Sequence, residues 1–192
     1  MTLLILGLAI FLGLHSVRLF ADGWRTAMLA RLGEAKWKGM YSLLSLLGFV
    51  LIVYGFGVAR QAPQVLWVPP AGMRHLTALL VLVSLIFLAA AYVPRNGIKA
   101  KVHHPMVIGV KVWALAHLLA NGMLHEVVLF ASFLVWAVLC FRAARQRDRA
   151  AGTLYPPGTT GGTIATMVAG IAGWAIVAFW LHQLLIGVRP LP

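Results

Sequence analysis

Six apolar runs, at about 2 to 20, 39 to 59, 75 to 94, 105 to 124, 125 to 141 and 163 to 187, decide what this chain can become. A helix needs about 20 mainly apolar residues to cross the hydrocarbon layer of a bilayer, and inside that layer each backbone N–H and C=O must find its partner within the protein. The expected fold is therefore all-α: a polytopic membrane protein with six transmembrane helices in one bundle, forming a single domain over residues 1–192. Composition agrees. The chain is 61% hydrophobic and 10% charged, where an ordinary soluble domain is about 25% charged.

Charge then sets the orientation. Sixteen Lys and Arg against four Asp and Glu give a net charge of +12, which in a soluble chain points to a nucleic-acid partner. Here the cations lie in short clusters between apolar runs and make no solvated basic face to track a phosphate backbone. The expected partner is the lipid bilayer, with no nucleic acid. Arg18, Arg25, Arg31, Lys36 and Lys38 follow the first run, Arg95, Lys99 and Lys101 the third, and Arg142, Arg145, Arg147 and Arg149 the fifth. Twelve of the sixteen cations thus occupy alternate connections, which the positive-inside rule assigns to the cytoplasm. Arg60, Arg74 and Arg189 fall on the other side, and Lys111 lies inside a span. The expected location is the bacterial inner (cytoplasmic) membrane, multi-pass, with both termini outside in the periplasm. The start MTLLILGLAIFLGLHSVRLF lacks a basic n-region and a small-residue cleavage site, so it reads as a retained first span.

The connections are short. Residues 60–74 carry Trp67 and three prolines, as expected at a membrane interface. Asn121-Gly122 predicts a tight turn between the fourth and fifth spans, and the Gly, Pro and Thr of 150–162 predict a loop without a domain of its own. The single cysteine, Cys140, excludes an intrachain disulfide and a Cys-based zinc site.

An ionisable side chain in a span costs about 2.5–3.5 kcal/mol on insertion scales, so each is a functional candidate. His15, His104, His117 and His182 lie in or at spans, whereas His75 and His125 at outer span ends and His103 in a basic inner loop are expected to be solvated. His117 has two readings. It is a core histidine satisfied by a neighbouring carbonyl or by Asn121 one turn on, or an axial ligand to a haem iron held inside the bundle. Ala114, Ala116 and Ala120 around it leave room for a planar ring, or simply allow close helix packing. His15 repeats the pattern in GLHSVR, where Arg18 either meets a haem propionate at the inner interface or anchors the span end. Lys111 either snorkels inward or pairs with an acidic group on a cofactor. At 1.5 Å per residue, His15 lies about 6 Å inward of the midplane, His117 about 4 Å outward, His182 about 10 Å outward and His104 about 16 Å inward. His117 and His182 match best in depth, while His15 with His117 requires tilted helices or shifted span ends. Asp22, four residues beyond Arg18, is expected to pair with it. Paired carboxylates, a phosphate loop and a serine nucleophile beside a base are all missing, so hydrolase chemistry is not expected.

With GLHSVR at 13–18, LGEAKWKGMYSLLS at 32–45, HPMVIGVKVWALAHLLANG at 104–122 and WLHQLLIGVRP at 180–190, nearly the whole chain resembles the NnrU family of bacterial membrane proteins, which is related to the zeta-carotene isomerase of plants and cyanobacteria. The isomerase relative is a haem b protein, and the resemblance maps its histidine ligands onto His15 and His117, with His182 as the alternative partner. Trp113, Asn121, His104, Arg18 and Lys111 complete the expected cofactor-binding set. The resemblance further implies an association with denitrification, in nitrite and nitric oxide metabolism, with redox or isomerase-like activity on a hydrophobic or gaseous small molecule. His103 and Met106 stand where the family usually has Arg and Gln, and Ala114 where the isomerase has a cysteine, so a thiolate-to-histidine switch has no donor here. One alternative is a non-enzymatic membrane assembly or regulatory factor with structural histidines. A weaker one is a membrane methyltransferase of the isoprenylcysteine type, which shares His-Pro and a following glycine, although RAARQRDRAAG offers only Asp148 as an acid.

Overall fold

The computed structural model describes residues 1–191, whose regular structure is helical apart from two isolated bridges. The helices are α1 (Thr2–His15), α2 (Val17–Phe20), α3 (Asp22–Leu32), α4 (Glu34–Ala59), α5 (Met73–Tyr92), α6 (Gly97–Val102), α7 (Pro105–Ala120), α8 (Leu124–Ala151), α9 (Thr160–Ile176) and α10 (His182–Ile186), with a π-helical turn at Val177–Leu181 between α9 and α10. Among them, α4, α5, α8 and the continuous stretch Thr160–Ile186 are long and apolar enough to cross a membrane.

The first and fourth anticipated spans are shorter than expected. α1 has 14 residues and α7 has 16, so they are about 21 and 24 Å long against a hydrocarbon layer of about 30 Å. Each is stopped by local chemistry. The Ser16 hydroxyl donates back to the Leu12 carbonyl at 2.6 Å, a bond that bends helices, and Ser16 itself separates α1 from α2. α7 starts at Pro105, suited to a first turn because it lacks an N–H, and gives way to extended backbone at Asn121. The connection after α1 is itself helical, with α3 and α4 joined at Gly33, whose φ of 79° suits glycine.

The chain forms two compact units, Met1–Trp67 with Gly122–Cys140, and Val68–Asn121 with the segment from Phe141 onward. In the first, α1 packs on α4 with backbones in direct contact. A Cβ on Gly7 would meet the Ile52 nitrogen at 2.6 Å, one on Gly48 the Phe11 nitrogen at 2.9 Å, and one on Gly55 the backbone of Leu3 and Leu4. Small residues that allow such approach are the usual means of helix association in a medium where lipid is as apolar as the core. Leu4, Leu8 and Ile52 form the core, with Val128, Leu129 and Phe133 of α8 packed on it. Residues 64–67 pair with 122–124: Leu66 N–H donates to the Gly122 carbonyl and Leu124 N–H to the Gln64 carbonyl, both at 2.8 Å. Glu126 accepts from the Met123 N–H at the start of α8.

In the second unit α5 packs against α7 and α9. Three side chains tie the helices through backbone carbonyls: Ser84 donates to Gly109 at 2.8 Å, Thr77 to Ala116 at 3.0 Å and Trp174 Nε1 to Ala78 at 3.0 Å. Buried Asn96 joins α5 to α6, donating to the carbonyls of Ala90 and Val93 and accepting from the Lys99 N–H. The loop 150–162 is tied down, with the Thr159 N–H donating to the Arg95 carbonyl at 2.7 Å. Many apolar side chains stay exposed, among them Leu43, Leu46, Phe49 and Val53 on α4. Such a surface suits a lipid bilayer as solvent.

Candidate functional site

The second unit encloses a largely apolar cavity of about 430 Å³, within the range of small-molecule sites. Helical register builds it. Arg74, Thr77, Ala78, Val81, Leu85 and Leu88 recur at three, four and seven residues down one stripe of α5, and Val110, Trp113, His117 and Ala120 do the same on α7, with Asn121 just past its end. Trp174, Val177, Ala178 and His182 form the third wall. In an unbroken α-helix, eight residues of 100° each would leave His182 about 80° around from Trp174. The π turn takes up roughly one extra residue, and both side chains line the same cavity.

His117 Nδ1 meets the Trp113 carbonyl at 2.8 Å. A carbonyl only accepts, so the proton of the neutral ring sits on Nδ1 and the in-plane lone pair on Nε2. The Asn121 amide donates to the backbone carbonyl of His117 at 2.9 Å and bypasses its ring. The Trp113 and His117 rings lie 5.1 Å apart and tilted. His182 has the same arrangement, with Nδ1 donating to the Val188 carbonyl at 2.7 Å. An imidazole held at Nδ1 by a carbonyl, with its lone pair on Nε2, is the state in which histidine ligates a metal. Of the small residues near His117, Ala114 and Ala116 are fully buried in helix packing, and Ala120 lines the cavity.

His15 and Arg18 belong to the first unit. They line an open hollow of about 810 Å³ together with Arg25, Trp37, Lys38 and Tyr41. His15 donates from Nδ1 to the Phe11 carbonyl at 2.7 Å, stacks on the Phe11 ring and is approached edge-on by Tyr41 and Trp136. Asp22 pairs with Arg25 at 3.6 Å instead of the expected Arg18, because the helix break at Ala21 leaves Arg18 in the short helix α2 while Asp22 and Arg25 share one turn of α3.

His104 and Lys111 line neither space. His104 Nε2 meets Asp148 Oδ2 at 2.7 Å, and the Tyr155 hydroxyl donates to the same oxygen at 3.0 Å. His103 stacks flat on Tyr155 at 4.1 Å and bonds Arg145 through Nδ1. His103 is also the centre of a γ-turn: its φ is 68° and ψ is −46°, and the His104 N–H donates to the Val102 carbonyl at 2.8 Å. The pair His103 and His104 is thus part of an ordered cluster, where a solvated loop was expected for His103. Burial, followed by the bond to Asp148, pushes the Tyr155 hydroxyl above the usual tyrosine range. The Lys111 ammonium sits 3.9 Å above the Phe141 ring, a cation–π contact at the end of the fifth apolar run.

His125 departs from expectation as well. It is 4% exposed, packed edge-on to Phe56 at 4.9 Å, and therefore not solvated, whereas His75 is exposed. Thr77, Trp174 and the π turn were missed by sequence reasoning; the periodicity of Arg74, Thr77 and Val81 was the only available signal. Among the described residues no three His, Cys, Asp or Glu side chains converge on one point.

The chain matches a protein-family model described as NnrU protein over residues 3–190. No curated protein and no solved structure matches it.

Proposed function

Since the chain belongs to the NnrU family, we propose that it is a b-type haem protein of the bacterial inner membrane, with His117 as an iron ligand. The observation that carries this reading is the pairing of His117 and His182 on one apolar cavity, each with Nδ1 bonded to a carbonyl. His117 and His182 would hold the iron of a bound haem through Nε2. Trp113, Trp174 and the aliphatic stripe of α5 supply flat and apolar surface for such a ring. The donor set and the lining therefore fit the group. The cavity offers His182 as the second ligand, and the family resemblance offers His15. Bound haem would supply one-electron iron chemistry, in keeping with a role in nitrite and nitric oxide metabolism. The protein's own part is to hold the two imidazole tautomers and exclude water. All six apolar helices belong to the membrane part in this reading, α1 and α7 included, with the basic connections cytoplasmic and both termini outside.

A non-enzymatic assembly factor is the second reading. It is favoured by the position of the Phe11 and Trp113 carbonyls, four residues before His15 and His117, where any helical histidine finds an acceptor.

One measurement tests the proposal: a reduced-minus-oxidised absorption spectrum of detergent-purified protein expressed with ample haem, with haem quantified per chain. The expected result is a sharp low-spin b-type signal near one haem per chain, lost or shifted in His117→Ala. His182→Ala and His15→Ala then identify the second ligand, since only the true one shifts the spectrum. An unchanged spectrum and haem content in His117→Ala refutes the ligand assignment, and no haem in the wild type leaves the assembly-factor reading.

A further inference from the structure

The cavity has a charged mouth that iron ligation does not explain. Outside the inner clusters and Lys111, the sequence holds only three cations, Arg60, Arg74 and Arg189, and two of them line this one cavity. They arrive by different routes. Arg74 stands in the first turn of α5, where the positive end of the helix dipole disfavours a cation. Arg189 is brought by the chain end: Gly187 closes α10 with φ 78°, and His182 then bonds the Val188 carbonyl, so that Val188, Arg189 and Pro190 lie along the wall.

None of the four acidic side chains serves these arginines. Asp22 pairs with Arg25, Glu34 with Lys38, and Asp148 with His104 and Tyr155, while Glu126 accepts from the Met123 N–H. Two guanidiniums at the rim of an otherwise apolar space are the arrangement for carboxylates on an apolar molecule, since the guanidinium fork matches a carboxylate bidentately.

We infer that Arg74 and Arg189 bind carboxylates of the ligand held in this cavity, which is therefore an amphipathic molecule with an apolar body inside and acidic groups at the mouth. The inference rests on the haem reading, under which those groups are the propionates. Arg18, which the sequence offered them, lines the open hollow of the first unit instead.

The test is an absorbance titration of full-length protein, purified from haem-limited cells, with haem b and with its dimethyl ester. The proteins are the wild type, Arg74→Gln, Arg189→Gln and the double variant. Loss of one charged hydrogen-bonded pair is worth about a tenfold change in affinity. Each single variant should therefore bind haem roughly tenfold more weakly, and the double variant more weakly still. The bound spectrum should stay unchanged, because the iron ligands are untouched. The ester should bind wild type and double variant alike. Haem binding by the double variant at wild-type affinity, or ester binding to the wild type as tight as haem, overturns the inference while leaving the haem reading intact. No stoichiometric haem binding by the wild type overturns both. Far-ultraviolet circular dichroism confirms that the variants are folded.

Discussion

The contact between α1 and α4 allows a sharp test of how the first unit is held together. A Cβ added to Gly55 would lie 2.7 Å from the Leu3 carbonyl carbon and 2.8 Å from Leu4 Cα. Carbon atoms rest about 3.5–4.0 Å apart, so the helices must separate by about 0.8 Å, because backbone has no rotamer with which to yield. Leu4, Leu8 and Ile52 sit at this contact, and a gap of that size forfeits a quarter to a half of each dispersion well. Overpacking of this kind costs about 1–3 kcal/mol. Gly57 is the control, two residues further along the same helix with no atom within 4 Å of its added Cβ. Both changes to alanine gain up to about 1 kcal/mol of helix propensity, so the difference between Gly55→Ala and Gly57→Ala isolates the clash. In detergent, fluorescence-monitored unfolding should place Gly55→Ala below Gly57→Ala by about 1–3 kcal/mol, with Gly57→Ala at or above wild type. Equal stability of the two variants would refute the backbone-contact account.

Two further predictions concern the second unit. Ser84→Ala removes the buried bond to the Gly109 carbonyl; double-mutant cycles for such bonds within membranes average about 0.6 kcal/mol and reach about 1.7, so unfolding should show a loss in that range, and none at all would mean the carbonyl finds another donor. In an absorbance pH titration of the phenolates, Tyr155 should ionise above the usual tyrosine range, first because it is buried and then because Asp148 accepts its proton. Asp148→Asn should bring that step down only part of the way, since the burial remains, and Tyr155→Phe should delete it; ionisation of Tyr155 within the ordinary range would contradict the cluster.

The spans were legible because apolar length is a direct physical requirement of the membrane. Runs at 39–59, 75–94 and 163–187 correspond to Glu34–Ala59, Met73–Tyr92 and Thr160–Ile186. The fifth run reads to 141 by apolarity, yet α8 continues to Ala151, since RAARQRDRA is made of good helix formers that hydropathy does not count. What remained hidden depends on pairs far apart in sequence. His104 and Asp148 are 44 residues apart, Trp174 and Ala78 are 96 apart, and no periodicity within one helix predicts either contact. Burial of His125 was hidden for the same reason, because its partner Phe56 comes from another helix. The two candidate histidines His117 and His182 were visible in the sequence as polar residues in apolar runs, but their common cavity depends on the π turn, which no residue pattern announced.

His15, His117 and His182 all stand where an apolar helix is interrupted. His15 is the last residue of α1, His117 lies one turn before α7 gives way to extended backbone, and His182 is the first residue after the π turn. In hydrocarbon an irregular backbone is tolerated only where protein or a cavity satisfies it, and the same places reduce the penalty for an ionisable ring. At each of these points polar groups are matched locally: Ser16 serves Leu12, Asn121 serves His117, and His182 serves Val188. A helix that ran on without a break would bury its histidine among side chains on one face. A break turns the following residues aside and leaves space beside the ring, as the π turn and the Gly187 turn do around His182. The interruptions that end these helices are thus also what leaves open space beside the imidazoles.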